Sequence, residues 1–155
     1  MKKVLQIIAV VFVAVFIIAQ FFRPDQTNPP IVQADALEAT AQVPENAAQI
    51  LKRSCNDCHT NQTNYPWYSK ITPFSWLLQD HIDEGRGKLK FSLWNSYDAN
   101  KKARKLDEIC EQVDVGEMPL DQYLWIHRDA KLSDADKKTL CDWAHAEREK
   151  IRQNR

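Results

Sequence analysis

Cys55-Asn56-Asp57-Cys58-His59 spells C-x-x-C-H, and the reading of the whole chain works outward from it. Two thiols three positions apart can each add across a vinyl group of one porphyrin. A histidine directly after the second thiol is then held beneath the iron as its proximal ligand. A zinc site would need a second pair of ligands at matching spacing, but the other cysteines, Cys110 and Cys141, are isolated from each other in sequence. A thioredoxin-like pair would follow a strand and open a helix, whose dipole stabilises a thiolate. Residues 44–54 instead read as helix, which puts this pair at a helix end. The expected cofactor is a single haem c, attached covalently at Cys55 and Cys58, with His59 as an iron ligand.

Upstream, Met1-Lys2-Lys3 precedes residues 4–22, which carry no charge and only Gln6 and Gln20 as polar interruptions. A signal-peptide core runs about 7–15 residues, whereas crossing a bilayer takes about 20. The small-x-small triplet Ala34-Asp35-Ala36 lies too far beyond Phe22 for ordinary cleavage. Residues 4–22 therefore read as an uncleaved membrane anchor. Lys2 and Lys3 favour a cytoplasmic N-terminus and send the rest of the chain to the periplasmic side of the inner membrane. Residues 23–42, polar, proline-bearing and aperiodic, read as a flexible tether. Residues 43–155 form the folded domain.

Within that domain nothing alternates like a strand, and four segments have helical period. The first starts at Pro44, buries Ala47, Ile50 and Leu51, and ends near the motif. The second spans 74–85, with Phe74, Leu77, Leu78, His81 and Ile82 as its apolar stripe. The third spans 99–113 and buries Leu106, Ile109, Cys110 and Val113. The last begins at Ser133, where Asp136 completes a capping box, and continues through Leu140, Trp143 and Ala144 to about Gln153. The expected fold is all-α: a cytochrome c-like helical domain around one covalently bound haem, preceded by a single N-terminal transmembrane helix. A porphyrin, packed with the aromatic segments 65–68 and 91–94, would make up for a core short in aliphatic residues.

Further motifs carry a family resemblance. C-x-x-C-H-x-N-x-T over 55–63, Pro66-Trp67-Tyr68, Ser75-Trp76, His81-Ile82-x-Glu84-Gly85-Arg86, Phe91-Ser92-x-Trp94 and Glu117-Met118-Pro119 occur in this order. Leu132-Ser133 and Leu140-Cys141-x-Trp143-Ala144 follow. Together they resemble the bacterial haem-binding domain family, small membrane-anchored or exported monohaem c-type proteins, over about residues 44–146. Lys90 departs from the pattern, which would have asparagine there. The resemblance implies haem attachment at Cys55 and Cys58 with His59 beneath the iron. It implies no substrate.

Met118, the only methionine besides Met1, stands in Gly116-Glu117-Met118-Pro119. It is assigned as the sixth ligand, with His81 or His127 as the alternatives; a thioether there raises the potential. His81 reads as a core residue, His127 as a loop or propionate neighbour, and His145 as solvent-facing. Arg86 has two readings, a propionate partner or a surface arginine complementing a helix end. The basic run Lys101-Lys102-Ala103-Arg104-Lys105 reads as a solvated helix face. Cys110 and Cys141, left over in an oxidising compartment, are expected to form a disulfide. With 21 basic and 21 acidic residues, the balanced charge gives no reason to expect a nucleic-acid partner. The functional expectation is a single-electron carrier between redox partner proteins, not an enzyme. The alternative is a haem-based sensor or binding module with a displaceable axial ligand.

Overall fold

In the computed structural model, which describes residues 1–154, all regular secondary structure is helical. Helix α1 (Lys2–Ala19) is uncharged beyond its first two residues, buries none of its side chains against the protein, and is long and apolar enough to cross a membrane. Seven further α-helices follow: α2 (Leu37–Thr40), α3 (Glu45–Ser54), α4 (Asn56–His59), α5 (Phe74–Lys88), α6 (Ala99–Asp114), α7 (Asp121–Leu124) and α8 (Asp134–Gln153). Short 3₁₀ turns at Trp67–Lys70 and Phe91–Ser96 carry the two aromatic segments.

The four periodic segments appear as α3, α5, α6 and α8, each close to its expected bounds. Their ends follow local chemistry. Asp98 caps α6 by accepting from the Lys101 amide at 2.8 Å. Ser133 and Asp136 form the reciprocal capping box that opens α8. Helix α5 runs past Gly85 to Lys88 before Leu89 turns extended.

The core is a helical layer. Helices α6 and α8 run antiparallel, joined by a disulfide between Cys110 and Cys141 and, toward the far end of α8, by the Arg148–Asp107 ion pair. Helix α3 packs against α8 and lays Ala47, Ile50 and Leu51 into the same core as Leu106, Leu140 and Trp143. Phe91 and Trp94, almost wholly buried, close it from the 91–96 turn.

Two expectations need correction. The stripe assigned to α5 is only partly its buried face: Ile82 is fully buried and Leu78 half-buried, but Phe74 and Leu77 are exposed and His81 is half-exposed beside Glu84. Ser75 and Gly85 join Ile82 on the inward face, and at Gly85 the helix comes too close to the motif for any side chain.

Residues 23–42 are also not a free tether. Leu37 is fully buried in the core, with Ala36 and Ala41 nearly so, which recruits α2 into the folded body. Ahead of it, residues 20–30 form a strap held by side-chain amides. Gln20 pairs with the backbone of Thr72 in both directions, at 3.1 and 3.0 Å. Asn28 does the same with Thr63, at 3.0 Å each way. Gln26 bonds the Ser69 carbonyl and accepts from its hydroxyl. Such two-pronged pairing satisfies loop backbone that would otherwise need water.

Candidate haem site

The motif forms its own turn. Cys55 departs from helical geometry (φ −128°, ψ −38°) and ends α3, and α4 then carries Cys58 and His59. Helix α5 presses against this turn at Gly85, where an added Cβ would lie 2.9 Å from the Cys58 carbonyl oxygen and 3.2 Å from its Cβ. Glycine is required there by the close approach, since its φ is ordinary.

His59 is oriented from behind. Its Nδ1 lies 2.9 Å from the Leu89 carbonyl oxygen, just past the end of α5. A carbonyl can only accept, so Nδ1 carries the proton and Nε2 keeps its lone pair. Burial holds the imidazole pKa below the ordinary histidine range, which the Leu89 bond partly offsets. The ring is therefore neutral, as a metal ligand must be.

Cys55 and Cys58 are unbonded. Burial pushes the Cys55 thiol up to about 12, helped by Cys58, and the Cys58 thiol up to about 11, helped by Asp57. A redox-active C-x-x-C pair needs the opposite, a depressed pKa and an exposed thiolate. These are protonated thiols beside a neutral imidazole.

The loop after the motif is fixed from several sides. The Asn61 backbone N–H donates to the Ser92 hydroxyl at 2.9 Å, and its side-chain amide donates to the Pro30 carbonyl at 3.2 Å. Arg86 donates to the Thr60 carbonyl at 2.8 Å, to the Thr63 hydroxyl at 3.0 Å and to Asn28 at 3.3 Å. It is a clamp joining α5, the motif loop and the strap, a role neither earlier reading gave it.

The chain after Met118 returns to the motif. Tyr123 donates to Asp57 at 2.8 Å and stacks on His127 with ring centroids 4.2 Å apart. The His127 Nε2 lies 2.7 Å from the Tyr68 hydroxyl. Burial and the Asp57 charge both raise the Tyr123 pKa, so the phenol remains a donor. Met118 itself is half-buried against the edge of the core, after a turn made by Gly116 at φ +80°. His145 is exposed.

The residues around the motif fit a porphyrin. A neutral imidazole with one nitrogen to offer stands beside two unbonded thiols. Nearby, Trp67, Trp125 and Ile126 are 75%, 72% and 56% exposed. Trp67 meets Tyr68 edge-on with ring centroids 5.9 Å apart, and Trp125 and Ile126 directly precede His127.

The basic run is only partly a solvated face: Arg104 is exposed, but the Lys105 side chain is 14% exposed. Lys101 lies over the Tyr97 ring at 4.0 Å, Lys102 reaches Asn95, and Arg104 and Lys105 pair with Glu108.

Comparison with known proteins adds one finding: a family model described as a haem-binding domain matches residues 14–146. The match begins inside α1 and so takes in the strap and α2, well upstream of the motifs that carried the resemblance. No curated protein and no solved structure matches the chain.

Proposed function

The chain belongs to the haem-binding domain family, and on that premise we propose that it is a membrane-anchored monohaem c-type cytochrome carrying single electrons between redox partners. Its domain stands on the periplasmic side of the inner membrane. The observation that carries this reading is the His59–Leu89 hydrogen bond beside two unbonded cysteine thiols. Haem c supplies one-electron exchange at its iron; the protein supplies attachment, ligands and surroundings.

Cys55 and Cys58 would hold the porphyrin through thioethers, and His59, its ring aimed by the Leu89 carbonyl, would hold the iron through Nε2. Met118 would be the second residue to hold the iron. The alternatives have other surroundings: the His127 Nε2 lies 2.7 Å from the Tyr68 hydroxyl, and His81 stands half-exposed beside Glu84. A thioether and an imidazole together would raise the iron's potential and leave it no place for a substrate, which favours a carrier over an enzyme. The packing of α3 against α8, which brings the helix before the motif onto the last helix of the domain, supports a cytochrome c-like fold.

The test is spectroscopic. The oxidised protein should show the weak sulfur-to-iron charge-transfer band, and Met118→Ala should abolish it and lower the potential. Rapid carbon monoxide binding by reduced wild type would instead favour a sensor.

A further inference from the structure

From the contacts between the end of α1 and the start of α5, we infer that the haem domain is seated directly on the bilayer, with the first turn of α5 in the lipid interface. The inference rests on reading α1 as a membrane span. At 1.5 Å per residue the 18 residues of α1 are about 27 Å long, close to the ~30 Å of a hydrocarbon core.

The chain leaves that helix without slack. Gln20, one residue past Ala19, is paired both ways with Thr72. The Phe22 carbonyl accepts from the Trp76 indole at 2.6 Å, and Arg23 donates to the Lys70 carbonyl at 3.1 Å. The start of α5 therefore lies where α1 emerges, at the level of the lipid headgroups.

Its exposed side chains suit that level. Phe74, Trp76 and Leu77 are 52%, 46% and 47% exposed, and Phe21 and Phe22 flank them at 82% and 67%. Beyond the first turn the outward positions of α5 change character: Asp80, Asp83, Glu84 and Lys88 are all exposed. Apolar surface is confined to the end of the helix nearest the anchor, as an interfacial seat requires. Aromatic rings with a polar handle favour this zone over either water or hydrocarbon, and Arg23 and Lys70 place positive charge beside the headgroups. The occupant of the patch is lipid. A seat of this kind holds the haem site at one height and orientation, so redox partners must come to it.

The experiment uses full-length, haem-loaded protein in phosphatidylcholine nanodiscs, each accessibility being taken as the difference from a nitrogen-equilibrated sample so that relaxation by the iron cancels. Cys55 and Cys58 are consumed by the haem and Cys110 is bonded to Cys141, so an introduced cysteine is the one reactive thiol. Spin labels are placed singly at Phe74→Cys, Leu77→Cys, Asp83→Cys and, within the anchor, Val11→Cys. Labels at 74 and 77 should be relaxed more by oxygen than by a water-soluble nickel chelate, with the order reversed at 83. A lipid-facing label at 11 with water-facing labels at 74 and 77 overturns the seat and leaves the anchor standing. That result is also expected if another membrane protein normally covers the patch. A water-facing label at 11 overturns the anchor and the seat with it.

Discussion

Tyr123 donates a 2.8 Å hydrogen bond to Oδ2 of Asp57, one of the two residues between the motif cysteines. The bond ties the chain that follows Met118 to the turn that carries His59, so the two proposed iron ligands are held by one structural link. Tyr123→Phe removes the bond while keeping the ring that stacks on His127 at 4.2 Å. Leaving a half-buried carboxylate without this donor should cost about 1–3 kcal/mol. The denaturation midpoint should fall accordingly, and the reduced protein should bind carbon monoxide faster as the Met118 loop loosens. Unchanged carbon monoxide kinetics would mean that the bond does not govern the loop.

Gly85 and Gly87 make a paired test on one helix. A Cβ at Gly85 would meet the Cys58 backbone at 2.9 Å, whereas one at Gly87 meets nothing within 4 Å. Gly85→Ala should destabilise the domain by about 1–3 kcal/mol through overpacking and lower the fraction of chain that carries haem. Gly87→Ala should be neutral or stabilising by up to about 1 kcal/mol, the helix-propensity difference. Thermal melts with haem-to-protein ratios distinguish the two.

At the start of α8, the Ser133 amide holds the Asp136 carboxyl below its ordinary value of 3.8, with the Ser133 hydroxyl and Arg53 assisting. A carboxyl depressed on folding stabilises fully above its unfolded pKa and loses that contribution as pH falls through the folded one. Stability should therefore be flat through neutral pH and decline below about 4, and Asp136→Asn should flatten part of that decline. Ser133→Ala should cost about 0.5–2 kcal/mol at neutral pH. Urea titrations at stepped pH provide the measurement.

The Cys110–Cys141 disulfide closes a span of 31 residues between α6 and α8. Reducing it, or replacing both cysteines with alanine, should cost about 3–4 kcal/mol by the loop-entropy estimate. The haem spectrum should persist, because neither cysteine belongs to the motif turn. Peptide mapping without reductant must recover the linked pair.

What could be read from the sequence was what repeats locally. Helices α3, α6 and α8 announce themselves by apolar period and caps, because Ile50, Leu106 and Leu140 recur with neighbours three and four positions away. The attachment motif is equally local. The supports of the site are not, because the Leu89 carbonyl that aims His59 is a backbone atom, and any residue could supply it. The strap was invisible for a related reason: Gln20, Gln26 and Asn28 pair with loop backbone more than 30 positions away, and such pairing leaves no period. On α5, Phe74 and Leu77 have core-like spacing, yet periodicity reports a shared face without saying what covers it. Only the short approach at Gly85 shows that the inward face runs through Ser75, Ile82 and Gly85.

The most direct test of the account is whether haem stays with the chain after the fold is destroyed. The purified protein is denatured, run on a gel and stained for haem, and its intact mass is measured in parallel. The account predicts a haem-positive band and a mass increase of one haem, abolished in the Cys55→Ala, Cys58→Ala double variant. Haem lost from the denatured wild-type chain, with the mass of the bare polypeptide, would contradict it.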